Sequence, residues 1–144
     1  MYFLFSTQVK NLLLKEWIIK SIGSMGKVQV TRIGEINVRL PSGVDLIVDG
    51  IGSKNNKTVI FEVGSDPYKM GGKLIPVAEV GEVPVMIVLR DLAERDDIEM
   101  LREGIEVIPI NSNTLNILGK YAGYIKWLQS RYPSFKIYLV RRSV

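Results

Sequence analysis

The sequence predicts an α/β domain: a mixed central β-sheet with helices on both faces. Three observations lead there. Short alternating or apolar runs crowd residues 27 to 63, a continuous apolar run at 84–89 and a strand-like run at 105–110 alternate with helix-like patterns after them, and the 144-residue chain is 47% hydrophobic. A chain of that size and composition can bury a real core as one domain, residues 1–144, and is not a disordered polymer.

Val9 to Ile22 has the length and composition of a helix, and Leu12, Leu13, Leu14, Trp17, Ile18 and Ile19 make it apolar nearly all round, so it is expected to be mostly buried. Lys27 to Arg32 alternates like a strand, and Glu35 to Leu40 alternates again after Gly34. Pro41-Ser42-Gly43 is a turn leading into a strand from Val44 to Asp49; a polar loop, Gly50 to Lys57, then leads to a second strand, Thr58 to Val63. Asp66-Pro67 supplies an N-cap and a proline at the first helical position, opening a helix to about Val80 that Gly71-Gly72 and Pro76 weaken.

Pro84 to Leu89 reads as a strand buried on both faces. Asp91-Leu92-Ala93-Glu94 is a capping box for a helix that Gly104 ends, and Ile105 to Ile110 is another buried strand. Asn113 or Thr114 caps a further helix with Leu115, Leu118, Ala122, Ile125 and Leu128 on its apolar face, and Lys136 to Val140 is the closing strand.

Cysteine and histidine are both absent. That removes disulfides, thiolate nucleophiles, Cys-ligated metals, Ser-His-Asp catalysis and the usual zinc ligands. The catalytic options left are carboxylate, Lys, Arg, Tyr, Ser and Thr, and any metal would be oxygen-ligated, Mg²⁺ or Mn²⁺. No apolar run is long enough to cross a membrane and no small-residue cleavage site follows the apolar start, so the chain reads as soluble and cytoplasmic.

The net charge of +4 is unevenly placed. No Asp or Glu follows Glu106, so the last 38 residues carry +6 and residues 1–106 carry −2. Within the basic segment 112–144, Lys120, Lys126, Arg131, Arg141 and Arg142 are interleaved with aromatic residues, a pattern compatible with a phosphate-binding surface and equally with a solvated helix face and a charged edge strand.

The sharpest feature is a pair of carboxylates in apolar strands. Asp45 starts one and Glu62 nearly ends the next, and acidic residues are depleted in strands because burial penalises their charge. If their faces coincide, the two share a hard cation able to polarise a phosphate and acidify a water. Asp49-Gly50 reads as turn chemistry at the hairpin end, and Glu16 has a ready partner in Lys20 one helical turn on.

A helix, a meander with Asp45 on its second core strand and Glu62 on its third, then a helix and a buried strand resemble, over about residues 9–90, the core of the PD-(D/E)XK or restriction-endonuclease-like superfamily. That superfamily includes the Holliday-junction resolvases, chains of similar size. The resemblance implies a Mg²⁺- or Mn²⁺-dependent nuclease acting on DNA, with Asp45, Glu62 and the Val63 carbonyl as metal ligands and Glu16 as the acidic residue of the first helix. It also implies a homodimer, for which the helix bearing Trp127 is the candidate interface. The motif departs from the family at Val44, where proline is usual, and at Gly64, where the catalytic lysine is expected. Family members can supply that lysine from the following helix, which here offers Lys69 and Lys73. Two other readings follow if neither lysine serves or the resemblance fails: an inactive nuclease-fold DNA-binding or assembly subunit, and a small α/β ligand-binding regulatory domain.

Overall fold

The computed structural model describes residues 7–90 and 104–143, with side chains from Leu14 onward. Helix α1 (Thr7–Met25) leads into strands β1 (Gln29–Arg39), β2 (Asp45–Lys54) and β3 (Lys57–Gly64). Helix α2 (Pro67–Glu79) and strand β4 (Val83–Leu89) follow. After the undescribed stretch come β5 (Ile105–Pro109), a 3₁₀ segment (Leu115–Tyr121), helix α3 (Ala122–Arg131) and β6 (Lys136–Arg142). The described strands form one six-stranded sheet, ordered β1-β2-β3-β4-β6-β5. Pairing is antiparallel from β1 to β3, parallel from β3 through β4 to β6, and antiparallel again between β6 and β5. The expected mixed α/β sheet is therefore present.

The helices divide between the two faces. Leu14, Ile18, Ile19 and Ile22 of α1 pack on Val59, Phe61, Val85 and Ile87. On the opposite face Met70, Leu74 and Val77 of α2, with Ile125 and Leu128 of α3, cover Ile60, Met86, Ile137 and Leu139. These alternating strand residues point to opposite sides, so each layer of helix takes one set. Among the described α1 side chains, Leu14, Ile18, Ile19 and Ile22 form one buried stripe, while Trp17, an apolar residue of the helix expected to be mostly buried, is exposed.

Several boundaries also differ from those expected. Residues 27–32 and 35–40 belong to one strand, bent where its register shifts between Ile33 and Ile36, with Gly34 at φ 139°. The loop expected at 50–57 is mostly strand. The chain reverses in the two residues Asn55 and Asn56, at φ 52° and 64°, and Lys54 pairs with Lys57. Asparagine tolerates this left-handed backbone, and a two-residue turn of that hand matches strand twist. The glycines that suggested a loop serve close approach instead: a Cβ on Gly52 would lie 2.7 Å from the Gln29 carbonyl oxygen.

Asp66 caps α2 as expected, its carboxylate accepting from the N–H groups of Tyr68 at 3.0 Å and Lys69 at 3.3 Å. Gly71 lets α2 meet α3, because a Cβ there would collide with the Tyr124 hydroxyl. The helix expected from Thr114 is divided: Gly119, at φ 57° and ψ −122°, breaks it and regular α-helix begins only at Ala122. Strand β5, expected to be buried, is a half-buried edge, whereas the closing strand β6 lies inside the sheet between β4 and β5. The helix expected to begin at Asp91 lies outside the described residues. Among those described, no helix is long and apolar enough to cross a membrane.

Candidate functional site

The β2–β3 ladder ends at the rung Gly50 to Phe61, although β2 begins at Asp45 and β3 continues to Gly64. Past that rung β3 keeps its pairing with β4 and loses β2, so the two strands open into a fork. The Asp49 carboxylate fills it, its Oδ2 accepting the Val63 N–H at 2.8 Å in place of the missing ladder bond. Glu62 sits within hydrogen-bonding reach of Asp49. The same register carried one rung further sets the two residues opposite each other.

Each helical layer contributes one lysine to the fork. Lys73, from α2, forms an ion pair with Glu62 Oε2 and donates to the Ile47 carbonyl at 2.9 Å. From α1 on the other face, Lys15 Nζ lies 3.1 Å from Asp49 Oδ1. Two carboxylates and two ammonium groups thus occupy a part-buried space, which makes the cluster neutral when all four are ionised.

Glu62 is 7% exposed. Burial first, and then the neighbouring Asp49, push its pKa up to about 7 despite the opposing pull of Lys73. Between pH 4.5, where a free glutamate titrates, and about 7 the folded protein therefore holds a proton that the unfolded chain has released. In metal-free protein, folding stability should fall across that window as pH rises, by roughly 3 kcal/mol at most. Denaturant unfolding at pH 5 and pH 8 measures this; Glu62→Gln should flatten the difference, and an equal slope in both proteins would refute it.

The fork opens into a cleft of about 450 Å³ lined by Glu62, residues 63–66, Lys69, Met70 and Lys73. A second cleft, of about 480 Å³, lies at the end of β4 beside Leu139 of β6, against Arg90, Lys120 and Tyr121, and shares Ser65 with the first.

Two of the expected site residues are elsewhere. Asp45 is exposed at the start of β2 and directly opposite Arg39, which grips it through two hydrogen bonds of 2.9 and 3.1 Å. The Arg39 guanidinium holds the Asp45 carboxyl below its usual range. Four residues of strand, about 13 Å, separate it from Asp49. Glu16 pairs with Lys20 at 2.8 Å on the outside of α1, because the helical step of about 100° turns it away from the direction of Lys15. Glu62, Val63 and Lys73 are at the fork, and Lys69 lines the cleft without a described ion pair.

Asp49 and Lys15 are the residues sequence reasoning missed. Asn55-Asn56 carried the signal for Asp49: a two-residue turn there fixes the register that sets Asp49 against Glu62.

The basic residues divide as well. Lys120, Lys126 and Arg131 are exposed on the 3₁₀ segment and α3, Lys120 lying 5.2 Å from the centre of the Tyr121 ring and Arg131 5.3 Å from that of Tyr132. Arg141 is committed to Glu106 across the β5–β6 pair at 3.0 Å, and Arg142 is half-buried in the same strand. A scan against protein-family models finds none that matches this chain. No curated protein matches its sequence either.

Proposed function

We propose that this chain is a metal-dependent nuclease with a PD-(D/E)XK-type core, in which Asp49 rather than Asp45 is the aspartate of the pair. The observation that carries this reading is the fork, where Asp49 and Glu62 meet beside Lys73 and Lys15. The order helix, three-stranded meander, helix, parallel strand supports it, as does the absence of Cys and His from the whole chain.

Among the described residues there is no group of three or more His, Cys, Asp or Glu that could hold a metal. The donor set on offer is two carboxylates with nearby backbone oxygens. It fits Mg²⁺ or Mn²⁺, hard cations commonly held by one or two carboxylates, water and substrate phosphate. Such an ion, when bound, polarises a phosphate and lowers the pKa of water. The protein's own groups do the rest. Asp49 is oriented by the Val63 N–H and Lys15, and Glu62 is held under α2 by Lys73. Lys73 is fixed between Glu62 and the Ile47 carbonyl, where its ammonium can stabilise negative charge building on a phosphoryl group. It thereby stands in for the lysine that Gly64 lacks.

Labelled single-stranded, duplex and junction DNA, and RNA, incubated with Mg²⁺ or Mn²⁺ and separately with EDTA, test the reading. Cleavage that requires the metal is the expected result. Binding without cleavage under any metal would replace it with a non-catalytic nucleic-acid-binding role.

A further inference from the structure

Six large apolar or aromatic side chains among those described are exposed, and two of them, Tyr68 and Trp127, belong to one connected run of rings that extends from Tyr121 to Phe135. Tyr68, on the first turn of α2, contacts Tyr124 at 4.7 Å and Tyr121 at 5.3 Å between ring centres. Tyr124 stacks on Trp127 at 5.9 Å with the planes only 24° apart. Tyr68 is 54% exposed and Trp127 49%, so these two rings keep free surface.

This run begins beside the fork. Tyr121 and Lys120 line the second cleft, which shares the lining residue Ser65 with the carboxylate cleft, and Tyr68 directly precedes Lys69, which lines the latter. Its surroundings are mainly cationic: Lys69, Lys120, Lys126 and Arg131 are exposed on the segments that carry the rings, against one neighbouring carboxylate, Asp66, which caps α2 beside Tyr68.

We infer that the rings from Tyr68 to Trp127 form a stacking platform for the unpaired bases of a single-stranded nucleic acid, whose backbone follows Lys120 and Ser65 toward the fork. Resting on the nuclease reading, this names single strands as the substrate class. Paired bases in a duplex keep their faces inside the stack and present mainly phosphate, to which exposed rings offer nothing. An unpaired base has a free face, and a basic surface set with aromatic rings holds it regardless of sequence. Charge complementarity therefore selects nucleic acid, and the rings select the single strand.

Fluorescence anisotropy in EDTA tests this without catalysis, using labelled oligothymidylate and oligouridylate of about 16 nucleotides and a duplex of equal length. At least one single strand should bind about ten-fold more tightly than the duplex, and comparison of the two shows whether DNA or RNA is favoured. Tyr68→Ala and Trp127→Ala should each weaken single-strand binding by about 5- to 100-fold and leave duplex binding unchanged, while Trp127→Phe retains most of it. Equal affinity for the duplex, or truncations without effect, would overturn the inference. So would a change in the free protein's sedimentation on truncation, which would make the rings an interface between two copies. Single-strand binding without metal-dependent cleavage would leave the platform standing and remove the nuclease; duplex cleavage indifferent to both truncations would do the reverse.

Discussion

Asp49→Asn and Glu62→Gln should each lower metal-dependent cleavage by about a thousand-fold or more, whereas Asp45→Asn should leave it unchanged. A metal clamp on a reacting phosphate contributes several kcal/mol to the transition state, and each 1.36 kcal/mol lost is about ten-fold in rate. An amide in place of either carboxylate removes an anionic ligand while keeping the shape, so nucleic-acid binding in EDTA should survive. Asp45 makes its contacts with Arg39 at the solvent-exposed end of β2, away from the fork. Single-turnover cleavage by the three variants gives the result, and loss of activity in Asp45→Asn with retention in Asp49→Asn would return the site to the aspartate first expected.

The second large effect concerns the lysine. Lys73→Ala should reduce the single-turnover rate by about a hundred- to a thousand-fold, the range seen when one preorganised charge-stabilising group is removed. Lys69→Ala should cost far less, because Lys69 has no described contact with either carboxylate. Introducing Gly64→Lys into the Lys73→Ala background should recover part of the loss. Gly64 is two residues after Glu62 on the same side of β3, and a Cβ there would meet Met70 Sδ at 3.2 Å, the movable end of a flexible thioether. If the double variant stays as slow as Lys73→Ala while remaining folded by circular dichroism, the two positions are not equivalent and relocation of the lysine fails.

The legible parts of the fold were those set by local chemistry. Asp66-Pro67 marked the start of α2, and the uninterrupted apolar run before Arg90 marked a strand buried on both faces. Glu62 was legible because a carboxylate among Val, Ile and Phe has no cheap local explanation. Asp49 was hidden by its own neighbour: Asp-Gly is ordinary turn chemistry, and only a register set by the left-handed pair Asn55-Asn56 shows that Gly50 is a strand residue packed against Ile19. That Asp45 lies away from the fork was not legible, because position within a strand says nothing about where a ladder stops. The helix predicted from Thr114 failed at Gly119, since apolar spacing persists across a break that the backbone makes.

The fork has a bearing on how the protein comes into being. Lys15 meets Asp49 across 34 positions of chain, and Lys73 reaches Glu62 from the opposite face of the sheet. On the nuclease reading, a nascent form with one helix undocked would carry surplus negative charge at the fork and repel phosphate, so competence to accept a polyanion would arrive with the last layer to close.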